Sequence, residues 1–200
     1  MWCSKQSGAT NMGCPFSYAQ GDLGAAFTFT NTKAFMLCVA GECGAMSSVA
    51  ANDGKWHHIA VTWESNGASD ATGRGNTIIY LDANPVWQGD VAKGKAIENG
   101  GTVVIGNAQI RPGVLAGDAT VFKGQLSDVI WYNRVLSKTD VGAKMMSHVL
   151  GNEAGAIMAF PMTQADDELT TLKDASPSRT VGTFSGAASL LVMTNRPANW

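Results

Sequence analysis

Asn52-Asp53-Gly54-Lys55-Trp56-His57-His58-Ile59-Ala60-Val61-Thr62-Trp63 is the stretch whose reading decides the fold. Asp53-Gly54 is a turn pair, and beyond it the chain alternates: Ile59, Val61 and Trp63 carry bulk while Ala60 and Thr62 between them do not. Successive strand side chains point to opposite faces, so the bulky set lies on one face and a central core strand is predicted. For the same reason His57 and His58 point apart and cannot share one metal ion. One is expected against the core and the other outside, held by the Asp53-Gly54 turn.

Working outward, runs rich in Val, Ile, Thr, Phe, Trp and Tyr recur at 15–19, 26–31, 34–39, 77–83, 102–106 and 122–132, separated by Gly, Asn, Asp and Pro clusters. That spacing predicts an all-β, antiparallel two-sheet sandwich. Residues 78–87 read as a hairpin with its turn at Ala83-Asn84, where Asn tolerates positive φ and Pro85 stops further pairing. One short helix is predicted near 137–150. Ser137 and Asp140 form a capping-box-like start, Val141, Met145 and Val149 fall on one face, and Gly151 can close the end. His148 near that end is a favourable charge at the negative pole of the helix dipole. Residues 1–150 are expected to form the main sandwich. Residues 151–200, with the apolar run 156–162, the acidic stretch Gln164 to Glu168 and Asp174-Ala175-Ser176, are either its closing strands or the start of a following repeat.

The composition narrows the function. The 200 residues carry 14 basic and 16 acidic side chains, and 15% of the chain is charged, which leaves no electrostatic footprint for nucleic acid. No apolar run reaches membrane-spanning length, so no membrane insertion is expected. The start Met1-Trp2-Cys3-Ser4 is unlike a signal peptide and is expected of an excerpt from a longer chain. Cys3, Cys14, Cys38 and Cys43 allow two local disulfides, Cys3–Cys14 and Cys38–Cys43; reduced thiols and zinc are the competing readings, the latter without any C-x-x-C spacing.

The 52–63 stretch resembles the hallmark strand of the laminin-G and pentraxin families, a Asp-Gly-Lys-Trp-His-His turn leading into an apolar strand that ends in Thr-Trp. Pro15-Phe16-Ser17-Tyr18-Ala19, the 100–106 segment ending in Ile105-Gly106, and the 122–136 segment support the resemblance in the right order. It implies a concanavalin A-like jelly-roll sandwich in a noncatalytic extracellular protein, secreted or on the cell surface. The partner implied is a glycan, an extracellular protein, or neighbouring domains of the same or identical chains. A structural building block of an extracellular filament or matrix is the alternative.

The resemblance also implies a calcium site, with matching positions near Gly24, Ala25 and Ala26, at Asn107, Ala108, Gln109 and Ile110, and at about Thr120. Calcium takes six to eight oxygens, several of them charged, and Ala108 and Ile110 stand where the family places carboxylates. No cofactor is therefore expected, although Asp22, Asn107 and Asp118 remain as a degenerate calcium site. The family half-cystine in the hallmark strand is Ala60 here. Trp2, Trp56, Trp63 and Trp131 are assigned to the core. Trp87 beside Gln88 and Asp90 is the candidate sugar-stacking residue, with Asn107 and Gln109 as further ligand-binding candidates; its competing role is packing across the sheet. Catalytic residues are expected to be absent, because glycoside hydrolysis needs two carboxylates facing one groove, and the Glu residues are isolated.

Overall fold

A computed structural model describes residues 2–7, 13–31, 34–45, 49, 51–67, 75–162 and 171–184. The strands are β1 (Trp2–Ser7), β2 (Gly13–Gln20), β3 (Leu23–Asn31), β4 (Phe35–Val39), β5 (Glu42–Ala45), β6 (Trp56–Trp63), β7 (Thr77–Leu81) and β8 (Asn84–Gly89). They continue as β9 (Thr102–Ile105), β10 (Gln109–Arg111), β11 (Val114–Leu115), β12 (Gln125–Tyr132), β13 (Ala156–Phe160), β14 (Thr171–Lys173) and β15 (Val181–Thr183). A 3-10 turn, Asp118–Thr120, and a helix α1, Lys138–Met145, complete the list.

Two antiparallel sheets carry the fold: six strands in the order β13-β12-β1-β6-β7-β8, and five in the order β5-β4-β3-β2-β9. Strand β6 lies inside the larger sheet between β1 and β7, as its one-faced pattern predicts. Ile59 and Val61 point into the core between the sheets with Phe16, Phe29, Leu37 and Val129, all of them solvent-inaccessible. Trp131 packs edge-on to Phe16 and Tyr18, with ring centroids 5.0 and 5.3 Å away, and ties the two sheets together. Ala60, on the opposite face of β6, belongs to a second apolar cluster with Tyr80, Ile130, Tyr132 and Leu136, which Val141 of α1 covers.

Trp63 and Trp131 pack against the main core as expected, and Trp63 donates from Nε1 to the Val91 carbonyl at 2.8 Å. Trp56 is half-buried and belongs to neither apolar cluster, which corrects its assignment to the core. Only the backbone of Trp2 is described.

Local details depart from the sequence reading in three further places. The β7–β8 turn is one residue earlier than expected: Leu81 faces Asn84, and Asp82 and Ala83 take the positive φ values, 50° and 61°. A two-residue hairpin loop demands that conformation at both central residues to match strand twist, whatever the side chains. Pro85 does not end the pairing, because β8 is an edge strand and its missing N–H faces away from the ladder. The helix begins at the expected box, with Ser137 accepting from Asp140 N and Asp140 accepting from Ser137 N, but it stops at Met146 rather than running to Gly151. Val149 is buried beyond the helix end, where its N–H donates to the Asp128 carboxylate at 3.0 Å; His148 approaches the same carboxylate at 3.3 Å.

The cysteines divide. Cys38 and Cys43 face each other across the β4–β5 hairpin and close a disulfide with Cα atoms 4.0 Å apart. Cys14 is a buried free thiol donating to the Phe16 carbonyl, so the Cys3–Cys14 bridge is not formed. The reason is topological: β1 carries Cys3 into the six-stranded sheet, opposite Ala60, whereas β2 carries Cys14 into the other sheet.

Candidate functional site

The segments that the family resemblance singled out do converge. The turn after β9 hydrogen-bonds back to β2 through Gly106 N and the Pro15 carbonyl, and Phe122 N returns to the Gly106 carbonyl. The β10–β11 hairpin then folds against β2 and β3. Contact with β3 is so close that a Cβ on Gly24 would lie 2.4 Å from the Gln109 carbonyl oxygen, so only glycine fits there.

At the centre of this end of the sandwich sits a buried polar cluster. Ser17, fully inaccessible, donates its hydroxyl to the Asn107 carbonyl at 2.8 Å. Gln109, 5% exposed, directs Nε2 at the Thr102 carbonyl (2.9 Å), the Ser17 carbonyl (3.3 Å) and the Ser17 hydroxyl (3.2 Å), while its Oε1 accepts from Gly113 N at 2.9 Å. Asn107, 8% exposed, accepts at Oδ1 from Ala108 N at 2.8 Å and from the Thr120 hydroxyl. Two carbonyl acceptors next to Gln109 fix which end of its amide is nitrogen, because only N–H can serve them.

Calcium does not fit these residues. Asn107 Oδ1 has both lone pairs engaged, Gln109 turns its nitrogen inward, and Asp22 and Asp118 lie exposed in the β2–β3 turn and the 3-10 turn. Among the described residues no group of three or more His, Cys, Asp or Glu side chains is placed to hold a metal. What this end presents outward is Leu23 (42% exposed), Ile110 (61%) and Leu115 (42%), with Asp22 and Arg111.

Trp87, Gln88 and Asp90 form a separate location at the edge strand β8. Trp87 is half-buried and packs inward against the main core, over Gly89. Gln88, the next residue, faces the opposite side of the sheet, so the two cannot grip one sugar together. Asp90 accepts from Asn76 N at 2.8 Å and lies 3.6 Å from Lys93 Nζ.

Sequence reasoning overlooked a second polar arrangement. His57 is set between two carboxylates, Nδ1 2.8 Å from Asp82 and Nε2 2.9 Å from Asp53, while Asp82 also accepts from His58 N at 2.9 Å. His58 is buried on the other face, as the alternation required. Since carboxylates only accept, both ring nitrogens must carry protons, and the group is an imidazolium. Burial opposes that charge most, and the bonds to Asp82 and Asp53 outweigh it, so the His57 pKa is raised. The i, i+4 spacing of Asp53 and His57 was the available signal; the role of Asp82 had none.

Asp174 has a structural role that the sequence did not single out. Buried, it accepts from Ala159 N (2.8 Å), Ser176 N (2.8 Å) and Thr180 N (3.3 Å), and so seals the outer edge of β13. The Gln164 to Glu168 stretch lies outside the described residues. No described helix is long and apolar enough to cross a membrane.

Residues 1–142 match a laminin G family model described as the concanavalin A-like lectin/glucanases superfamily. A rat protein named for its sushi, von Willebrand factor type A, EGF and pentraxin domains is 33% identical over 159 residues, covering 78% of this chain and 4% of its own. Guinea pig (Cavia porcellus) neuronal pentraxin-2 is 27% identical over 141 residues, 68% of this chain and 31% of that protein. The chain thus spans a small part of these relatives. Among solved structures, the heptameric SAP-like pentraxin of Limulus polyphemus superposes with a TM-score of 0.59 at 23% identity, over 70% of this chain and 66% of that one. A candidate carbohydrate-binding protein of Bacteroides ovatus gives 0.65 at 14% identity, over 96% and 55%. At these identities the structures bear on fold alone.

Proposed function

From the premise that this chain belongs to the concanavalin A-like lectin/glucanases superfamily, of the laminin G and pentraxin kind, we propose that it is a noncatalytic, extracellular binding module of a larger protein, engaging a glycan or an extracellular protein. The observation that carries this reading is the loop end built on the Ser17–Asn107–Gln109 cluster: a rigid internal frame supports an exposed, mixed apolar and polar surface of Leu23, Ile110, Arg111 and Asp22. A rigid scaffold under variable loops is how binding surfaces are commonly positioned. The edge-strand group Trp87, Gln88 and Asp90 is the weaker location, because its side chains diverge. The Cys38–Cys43 disulfide favours an oxidising compartment, secreted or at the cell surface.

Noncatalytic action is favoured by what occupies the carboxylates. Asp174 and Asp128 accept backbone N–H groups, Glu153 pairs with Lys144, and Glu42 with Lys95. Residues 151–162 are read as closing this same sandwich, supported by the β12–β13 ladder, and residues 171–184, with their separate β14–β15 hairpin, as docked on its edge through Asp174.

A structural role in an extracellular assembly is the second reading, favoured by the exposed apolar side chains Met146 (62%), Leu150 (70%) and Val181 (62%). One experiment separates the two. The purified chain is applied to a glycan array and to immobilised extracellular proteins, and its association is followed by sedimentation. Saturable binding that weakens on Ile110→Asp supports the binding module. A folded chain that binds nothing and self-associates through the Met146 region leaves the structural reading.

A further inference from the structure

We propose that the Ser17–Asn107–Gln109–Thr120 network takes over the mechanical task of a bound cation, so that this end of the sandwich is assembled, and engages its ligand, without calcium. The second half rests on the binding-module reading above; the first does not.

A cation at a loop junction holds separate segments together by drawing their oxygens inward. The same segments are held here by neutral donors and acceptors. Ser17 stands on β2, Thr102 on β9, Asn107 in the turn that follows, Gln109 on β10, Gly113 in the β10–β11 loop and Thr120 in the 3-10 turn. Six segments therefore meet through two amides and two hydroxyls. Each amide works as a strut: Gln109 spans from the Ser17 and Thr102 carbonyls to Gly113 N, and Asn107 from Ala108 N to the Thr120 hydroxyl.

A carboxylate at position 109 would be incompatible with this arrangement. It would set negative oxygen against the Ser17 and Thr102 carbonyls in a site 5% exposed to solvent, where an unpaired charge is most costly. The chemistry is therefore exclusive: the junction is built either around a cation with acidic ligands or around amides with neutral partners. The half-buried Ala108 and exposed Ile110 on either side of Gln109 add no oxygen that a cation could use.

The test is thermal unfolding and calorimetric titration of the whole chain with calcium and with a chelator. The expected result is an identical Tm in both and no calcium heat. Gln109→Ala and the milder Thr120→Val should then lower Tm, the former by roughly 5–10 °C, with faster hydrogen exchange at Gly113 N and no rescue by calcium. A rise in Tm with calcium, or measurable calcium binding by the unsubstituted chain, overturns the proposal. So does a pair of variants with unchanged Tm and exchange, since the network would then hold nothing. In the ligand arm, binding that persists in chelator supports the second half and binding that requires calcium refutes it. Absence of any ligand counts against the binding-module reading and leaves the first half to the unfolding data.

Discussion

His57 Nδ1 lies 2.8 Å from the Asp82 carboxylate and joins the turn before β6 to the β7–β8 hairpin turn, with Asp53 completing the bridge on the other ring nitrogen at 2.9 Å. The side chain of His57 is 14% exposed, so the imidazolium is largely shielded from water. The fold thus sets a pH-sensitive clamp on the strand that defines it.

The pH dependence follows from the direction of the shifts. The His57 pKa is raised above its ordinary 6.5, so its contribution to stability is fully present below that value and is lost as pH rises through the folded-state pKa. Asp53 is lowered from 3.8, chiefly by the Lys55 N–H and then by His57, and its contribution is lost only as pH falls through that lower value. The clamp is therefore strongest from about pH 4 to about 6.5 and weakens above that as His57 loses its proton. Nitrogen-15 spectra of the histidine rings at pH 6.5 should show His57 predominantly doubly protonated, and Asp82→Asn should bring its titration down. A neutral His57 tautomer at pH 6.5 in the unsubstituted chain would contradict the geometry.

Asp174→Ala leaves the N–H groups of Ala159, Ser176 and Thr180 without their carboxylate and opens the edge of β13. A loss of about 2–4 kcal/mol is expected. Urea unfolding measures it. If residues 171–184 formed part of an independent unit, the main transition would not move.

Cys14 is expected to resist alkylation in the folded chain. Burial pushes its thiol pKa up to about 12, opposed only in part by backbone hydrogen bonding at Phe16, so at pH 8 the thiolate fraction is about one in ten thousand. Peptide mapping after iodoacetamide treatment, native and then denatured, checks this. The same maps should return Cys38 and Cys43 as a linked pair; replacing both with Ala should cost about 2 kcal/mol for so short a loop.

Ala83 occupies the left-handed region at φ 61°, which disfavours any Cβ. Ala83→Gly should raise stability by roughly 0.5–1 kcal/mol, read from the urea midpoint. Asp82, at φ 50°, should not gain from the same change, because its carboxylate is spent on His57 and on His58 N.

Much of this fold was legible in the chain. The alternation of Ile59, Val61 and Trp63 marked β6, the Cys38/Cys43 spacing marked the hairpin disulfide, and Ser137 with Asp140 marked the helix start. Each is a pattern within a few residues, and strand alternation and caps are set by neighbouring atoms. The site was legible only as a list of positions. Asn107 and Gln109 stood out as amides in a loop, yet their side chains serve the frame, because Gln109 meets Ser17 across 92 positions of sequence. The end of α1, the exact turn residues of β7–β8 and the separation of Cys14 from Cys3 were equally settled by packing at a distance.

The sequence by itself determined the sandwich and its central strand, since period-two burial and turn chemistry are local properties that survive without knowledge of partners, and the resemblance of the 52–63 stretch pointed to the family. Only the tertiary structure decided what the polar residues do. An amide or an imidazole is committed by whichever groups the other strands bring within about 3 Å, and the Ser17 partner of Gln109 and the Asp82 partner of His57 come from segments that the chain does not place beside them until it folds.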